Sequence, residues 1–250
     1  LNVPKILEVT LHNGVDPVSG RKVGLETGDP RSFAGYDELY AAFMKQVRYF
    51  VDMKVRVSNY IDRMFAKYAP ATFLSLFIDD CIAKGRDYYN CGPRYNTTYI
   101  QCTGLGTITD SLSTLKKHIF EDKRWSMDEL LKAMANNFEG AEAMRQMILN
   151  RTPFFGNDDE YADSIAVKMF DDLYDTIEGK PNTKGECFHL NMLSTTCHVY
   201  FGKVMGATPN GRLAGRAISD GTSPSHGADT HGPSAVIKSL GKLDQVKSGG

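Results

Sequence analysis

One long segment limits what this chain can fold into. Between Asp37 and about Tyr68, apolar side chains recur at intervals of three and four residues, with Arg and Lys between them. This spacing predicts a single long amphipathic helix whose apolar stripe must be buried against other elements. Pro70 follows just beyond the predicted end, where a helix does not easily continue. The stripe consists of Leu39, Phe43, Val47, Phe50, Val51, Val55, Ile61, Met64 and Phe65.

The rest of the chain predicts more helices and a few short strands. Residues after Pro4 form a short apolar-periodic helix that ends at His12-Asn13-Gly14. Residues 88–109 mix aromatic, β-branched and glycine residues, which predicts strand and loop. Further helices are predicted over Phe73–Ala83, over Asp110–Phe120 with Thr109 or Asp110 as N-cap, from the Ser126 capping box through Leu149, and over Asp159–Ile177, with a strand over Cys187–Leu193.

This alternation favours an α/β layer or barrel. At 250 residues with 42% apolar content, the chain can bury a substantial core. No internal repeat or low-complexity linker divides residues 1–250, so we predict one domain or part of one. The chain opens at Leu1 without an initiator Met and stops at Lys247-Ser248-Gly249-Gly250, so we expect a piece of something longer.

Charge and cysteine content exclude several classes of function. Twenty-nine Lys and Arg oppose thirty Asp and Glu, so no net field attracts nucleic acid or an anionic membrane. Leu1–Thr10 lacks a signal-peptide pattern and no apolar run reaches membrane-spanning length, which favours the cytoplasm. Five cysteines without CxxC spacing argue against a disulfide framework and against a zinc site, so we expect reduced thiols.

Two weak constellations have ordinary structural explanations. Gly104-Leu105-Gly106 before a helix could approach a dinucleotide, but Thr109 replaces the third glycine of that fingerprint. His189 and His198 flank Ser194-Thr195-Thr196-Cys197, which could supply a nucleophile and base, although a satisfied core histidine is the expected role of His189.

Two further clusters are weaker still. His226, Asp229 and His231 share a glycine-rich loop that could in principle bind a metal. The adjacent pairs Asp79-Asp80 and Asp171-Asp172 point in different directions on helices and are expected to be solvated. We therefore predict no metal site.

A set of glycine-rich motifs carries a family resemblance. Pro209-Asn210-Gly211-Arg212 predicts a tight turn that presents an arginine from a constrained backbone. Together with the other motifs, it resembles the glycyl radical enzyme family, also called pyruvate formate-lyase-like, and the resemblance covers essentially the whole chain. The other matching motifs are Asn13–Pro17, Cys91–Asn96, Ser219–Pro224, Gly227–Ala235 and Ser239–Gln245.

The resemblance implies an activity. Tyr99–Gly106 and Asn191–Thr196 are most similar to members that remove water from trans-4-hydroxy-L-proline, a carbon–oxygen lyase reaction. The alternatives are another glycyl radical eliminase acting on glycerol, propanediol or choline, or a truncated module with a scaffold role and no catalysis. In the complete family enzyme, a glycyl radical oxidises a cysteine to a thiyl, which abstracts hydrogen from the substrate.

The resemblance also implies architecture and partners. It predicts part, the second half, of a ten-stranded α/β barrel that is incomplete at both ends. None of the five cysteines matches the thiyl position and Gly249-Gly250 does not match the radical glycine, so no catalytic residue or bound cofactor is expected here. The complete enzyme is expected to be an anaerobic, cytoplasmic homodimer whose radical is installed by a radical S-adenosylmethionine activating enzyme.

One substrate-binding residue follows from the resemblance. Thr195 is expected at a barrel strand end, where its hydroxyl would hydrogen-bond the substrate at its carboxylate. The alternative is a strand hydroxyl bonded to nearby backbone. Arg94, Tyr95, Asn96 and the turn at 209–212 are expected to be scaffolding around the cavity.

Overall fold

The computed structural model describes residues 1–193 and 195–249, which fold into a helix-rich α/β arrangement. Its helices are α1 (Val3–Leu11), α2 (Tyr36–Tyr68), α3 (Thr72–Ser75), α4 (Cys81–Lys84), α5 (Leu105–Thr114), α6 (Met127–Ala135), α7 (Glu142–Arg151), α8 (Glu160–Ile177), α9 (Cys197–Lys203) and α10 (Pro233–Leu240). Its strands are β1 (Val15–Asp16), β2 (Arg21–Lys22), β3 (Thr98–Gln101) and β4 (Phe188–Asn191). A π-helical segment covers Leu115–Glu121, and short 3₁₀ turns cover Pro30–Ser32 and Gln245–Lys247.

The parallel pair β3 and β4 is the centre of the fold. Thr98 lies opposite Phe188 and Gln101 opposite Asn191, so the two strands run in register over their full length. Asn2 pairs in parallel with Thr103 on the free side of β3. The Gly249 N–H donates to the Leu190 carbonyl at 3.0 Å on the other side of β4. The two strands, extended on either side by these contacts, form one wall.

The two faces of this wall differ. Ile100, Phe188 and Leu190 are fully buried, because they face the helices α5 and α8. Tyr99 and Gln101 on the opposite face are exposed. Since strand side chains alternate between faces, the wall separates an apolar layer from a polar one. The apolar layer includes Leu105, Ile108 and Leu112 of α5 and Met169, Phe170, Leu173 and Ile177 of α8.

The long helix predicted from Asp37 to Tyr68 is confirmed as α2. Its first half buries Leu39, Phe43 and Val47 completely against α1 and α8. Its second half leaves Ile61, Met64 and Phe65 of the stripe exposed, at 43%, 40% and 44%. The described residues therefore cover only the first half of the apolar stripe.

The start of α5 differs from the prediction of a helix over Asp110–Phe120. The helix begins at Leu105 and has no side-chain cap from its own N-terminus. Instead, the Ser219 hydroxyl accepts from the Thr107 N–H at 3.0 Å, and the Ser219 N–H donates to the Thr107 hydroxyl at 2.8 Å. The cap comes from 112 residues away, so local sequence could not reveal it.

Two other predicted helices are interrupted. The capping box at Ser126 is present, but α6 ends at Ala135 and α7 begins only at Glu142. The break holds Asn137 and Phe138 in left-handed backbone conformations, and the Phe138 side chain is buried. Tertiary burial of this aromatic ring outweighs helix continuity. The helix predicted over Phe73–Ala83 is instead the two short helices α3 and α4, separated by residues 76–80.

The remaining predictions agree well with the structure. The first helix is α1, the helix predicted over Asp159–Ile177 is α8 with Asp159 as its N-cap, and the strand predicted over Cys187–Leu193 is β4. Among the described residues, no helix combines the length and apolarity needed to cross a membrane.

Close contact between α5 and the glycine-rich tail, residues 202–249, gives a stability prediction. A Cβ at Gly106 would lie 2.5 Å from the Ser223 carbonyl oxygen, so Gly106→Ala should force the tail away from α5. We expect a loss of about 1–3 kcal/mol in the free energy of unfolding, measured by denaturant titration. Gly35→Ala is the matched control, because Gly35 has extended backbone and nothing within 4 Å of a Cβ. Equal effects of both variants would contradict the tight packing.

Candidate functional site

The carboxyl ends of β3 and β4 form the candidate site. Because the strands are parallel, Gln101 and Asn191 lie side by side at the same edge. The Asn191 amide donates to the Gly249 carbonyl at 2.8 Å, and its Oδ1 accepts from the Leu193 N–H at 2.6 Å. These bonds fix the course of the chain as it leaves β4.

Thr195 lies in the turn between β4 and α9. It is exposed and has φ +48°, a left-handed conformation that β-branched residues seldom adopt. Such strain is typical of positions where the surrounding structure holds a side chain for a purpose. Ser194, the preceding member of the possible nucleophile cluster, lies outside the described residues, as does Gly250.

A histidine pair lies at the start of α9. The Nδ1 of His198 is 3.6 Å from an Asp220 carboxylate oxygen, and the His198 and His226 rings are 6.1 Å apart between centroids. His198 follows Thr195 by three residues, whereas Asp220 and His226 come from the glycine-rich tail. The tail therefore carries titratable groups to the edge where β4 ends.

The turn at Pro209-Asn210-Gly211-Arg212 is held by its own arginine. The Arg212 guanidinium donates to the carbonyls of Gly206 at 2.5 Å, Leu213 at 3.0 Å and Arg216 at 2.6 Å. Burial lowers the pKa of Arg212 to about 10, against the attraction of Glu8, so the group stays charged at neutral pH. With its donors directed at backbone carbonyls, Arg212 acts as a structural support of the turn.

Asp110 links α5 to the loop that follows α7. It is fully buried, and its Oδ1 accepts from the Phe155 N–H at 2.8 Å. Removal from water raises the pKa of Asp110 to about 7, although the Ser225 hydroxyl and the Phe155 N–H favour the charged form. The group therefore holds a proton well above the usual range of a carboxyl.

The structure shows the surroundings of the glycine and aspartate motifs that the sequence raised as weak candidates for a binding or catalytic site. A Cβ at Gly104 would lie 2.6 Å from Pro4, and the space at Gly106 is filled by the tail, so protein occupies the place of a pyrophosphate. Asp171 and Asp172 have separate partners, Lys247 at 2.6 Å and Lys168 at 2.9 Å, as expected of surface carboxylates.

His189 is not the core histidine that the sequence suggested. Its side chain is 30% exposed, on the wall face opposite Phe188 and Leu190. Its Nδ1 lies 2.8 Å from a Glu178 carboxylate oxygen and its Nε2 lies 3.5 Å from the Cys187 sulfur. Within residues 1–193 and 195–249 these three side chains are the one group spaced to hold a metal, so His226, Asp229 and His231 do not form such a site.

A separate cavity lies away from the carboxyl ends of β3 and β4. It has a volume of about 720 Å³ and lies between α7, the turn at 209–212 and the loop at 225–231. Thr195 does not line it, whereas Asn157, Arg145 and His231 do.

Of the five free thiols, Cys102 at the end of β3 is fully buried, and burial raises its pKa to about 11. This thiol is enclosed by the core and does not face the site.

Comparison with known proteins identifies close relatives. A family model described as "Pyruvate formate lyase-like" matches residues 1–202. Trans-4-hydroxy-L-proline dehydratase from Clostridioides difficile is 51% identical over 250 residues, which is 100% of this chain and 32% of the relative. Isethionate sulfite-lyase from Oleidesulfovibrio alaskensis is 38% identical over 244 residues, 96% of this chain and 29% of that protein. The chain thus spans about a third of the length of these relatives.

Solved structures agree with the sequence comparison. Hydroxyproline dehydratase from Clostridioides difficile, with trans-4-hydroxy-L-proline bound, matches with a TM-score of 0.96 and 51% identity over 99% of this chain and 31% of that one. A glycyl radical enzyme from Archaeoglobus fulgidus matches with a TM-score of 0.92 and 33% identity, over 99% and 31% of the two chains. The helix-rich α/β fold predicted from sequence is confirmed as a portion of that larger barrel fold.

Burial of Asp110 predicts an unusual pH dependence of stability. The folded chain keeps its proton up to about pH 7, while the unfolded chain loses it near the ordinary value of 3.8, so this group's stabilising contribution falls as pH rises between these values. Asp110→Asn should remove that loss, because Asn keeps an oxygen for the Phe155 N–H. Urea titrations from pH 5 to 8 should show the variant gaining stability relative to the unsubstituted chain. Parallel curves would contradict the buried, protonated carboxyl.

Proposed function

Because the chain belongs to the pyruvate formate lyase-like family, we propose that the protein that carries it is a glycyl radical dehydratase that removes water from trans-4-hydroxy-L-proline. The observation that carries this proposal is the 51% identity to the hydroxyproline enzyme across all 250 residues. Identity to the isethionate enzyme is 38%, and to a glycerol dehydratase from Clostridium butyricum 33%, over nearly the same residues. Of these three relatives, the hydroxyproline enzyme therefore shares the most sequence with this chain.

The part of the enzyme that this chain represents limits which roles its residues can have. The chain spans about a third of its relatives, and we place the radical glycine and the reacting cysteine in the remaining two-thirds. The radical supplies hydrogen abstraction from the substrate carbon, and the protein orients the substrate and excludes water. We further propose a cytoplasmic, oxygen-sensitive homodimer that depends on a radical S-adenosylmethionine activating enzyme.

Thr195 is the substrate-orienting residue in this chain. Its position beyond the carboxyl end of β4 is typical of ligand contacts in α/β folds, where strands deliver side chains to one edge. Its exposed hydroxyl can donate to a carboxylate without adding charge. The neighbouring bonds of Asn191 to Gly249 and Leu193 keep the strand end in place, so the turn begins from a fixed point. The strained backbone supports a role beyond the connection of two elements.

An anaerobic assay tests the reaction. The whole protein, activated by its activating enzyme, would be offered trans-4-hydroxy-L-proline, isethionate and glycerol separately, with products identified by mass spectrometry. We expect loss of water from hydroxyproline and no turnover of the other two compounds. Sulfite release from isethionate, or dehydration of glycerol, in the absence of hydroxyproline turnover would overturn the proposed substrate.

Substitution of Thr195 tests its role. Loss of one hydrogen bond to a charged group should raise KM for trans-4-hydroxy-L-proline by about 10- to 100-fold in Thr195→Ala. Thr195→Ser keeps the hydroxyl and should stay close to the unsubstituted enzyme. Thr196→Ala removes the neighbouring exposed hydroxyl and serves as the matched control. An unchanged KM in Thr195→Ala would show that the hydroxyl bonds elsewhere.

A further inference from the structure

Cys187 and His189 present their side chains together at the amino end of β4. They are two residues apart across the fully buried Phe188, so both project from the wall face opposite the core. The Cys187 sulfur lies 3.5 Å from His189 Nε2. A thiol and an imidazole nitrogen are both ligands that borderline divalent cations such as Zn²⁺ accept.

Glu178 determines which imidazole nitrogen is available. It directly follows the last residue of α8, and its carboxylate lies 2.8 Å from His189 Nδ1. A carboxylate accepts but cannot donate when ionised, so Nδ1 carries the hydrogen and the Nε2 lone pair points to Cys187. Metal-binding histidines usually donate their second ring N–H to a carboxylate in this way.

The distance between sulfur and nitrogen also fits a shared metal. Zinc bonds of about 2.3 Å to sulfur and 2.0 Å to nitrogen, at a tetrahedral angle, place those two atoms about 3.5 Å apart. The observed separation of 3.5 Å equals that chord, and all three candidate donor atoms lie within 4.8 Å of one another. Binding would need no change in the strand backbone.

The surroundings leave room for further ligands. Cys187, His189 and Glu178 are all partly exposed, so water can reach the two remaining tetrahedral positions. The Tyr99 ring packs 5.7 Å from the His189 ring and limits its rotation. The Pro181–Cys187 bridge closes the loop between α8 and β4 next to the site. A bound ion would therefore join the two side chains at the start of β4, while Glu178 holds the His189 ring from the end of α8.

We propose that Cys187 Sγ and His189 Nε2, oriented by Glu178, bind a divalent cation of the Zn²⁺ class. On binding, the thiol proton leaves to solvent, metal–sulfur and metal–nitrogen bonds form, and water completes the coordination. The CxxC patterns of zinc sites are absent, and the Cys-x-His spacing becomes meaningful only because a strand places both side chains on one face. This inference rests on the geometry of Cys187, His189 and Glu178 and not on the proposed dehydratase reaction.

Cobalt substitution tests the site with a signal specific for sulfur ligation. The whole protein, freed of metal under anaerobic conditions, would be titrated with Co²⁺ and then with Zn²⁺. We expect one equivalent of Co²⁺ with a thiolate-to-cobalt charge-transfer band in the near ultraviolet, lost when Zn²⁺ displaces it. Cys187→Ser and His189→Gln should abolish the band, and Glu178→Gln should weaken binding about 10- to 100-fold.

Cys91→Ser is the matched control, because Cys91 is also partly exposed and contacts Thr183 in the same loop region. It should leave the band unchanged, and circular dichroism should show that every variant is folded. In the unsubstituted protein, Zn²⁺ should protect Cys187 from alkylation while Cys91 still reacts. Absence of the charge-transfer band in the unsubstituted protein, or its persistence in Cys187→Ser, would overturn the proposal.

Discussion

The parallel pairing of β3 and β4 is the interaction on which the rest of the structure depends. It sends Ile100, Phe188 and Leu190 into the helical layer, and it sends the alternate side chains to the opposite face. It also brings the carboxyl ends of both strands to a common edge, where the turn with Thr195 begins. The core, the candidate substrate contact and the Cys187–His189 pair all follow from one register. A slip of one residue would exchange the two faces.

The glycine-rich tail has little periodicity, yet specific bonds fix its place. Thr107 and Ser219 exchange two hydrogen bonds, and the Gly106 backbone meets the Ser223 carbonyl at a distance that excludes a side chain. Buried Asp110 braces the neighbouring loop through the Phe155 N–H. The segment around Ser219 thus fits against the start of α5, and the segment around Pro209 forms a supported turn. This placement brings Asp220 and His226 toward His198.

Local patterns predicted the helices and strands that local physics controls. The stripe of α2, the capping box at Ser126 and the alternation around Phe188 were sufficient, because periodicity and capping are encoded by neighbouring residues. The predicted start of α5 at Asp110 was wrong, because the hydrogen bonds at the observed start come from the distant Ser219. The break after α6 was missed because burial of the Phe138 side chain interrupts the helix. The Cys187–His189 pair at the start of β4 was missed from the sequence, because Glu178 joins it only through the turn after α8.

Thr195 is the position in this chain to which we assign contact with the substrate. A crystal structure of the whole protein with trans-4-hydroxy-L-proline would test that assignment most directly. We predict a substrate carboxylate oxygen within about 3 Å of the Thr195 hydroxyl, beyond the carboxyl end of β4. A substrate whose carboxylate is bound elsewhere, with Thr195 bonded only to its own backbone, would contradict it.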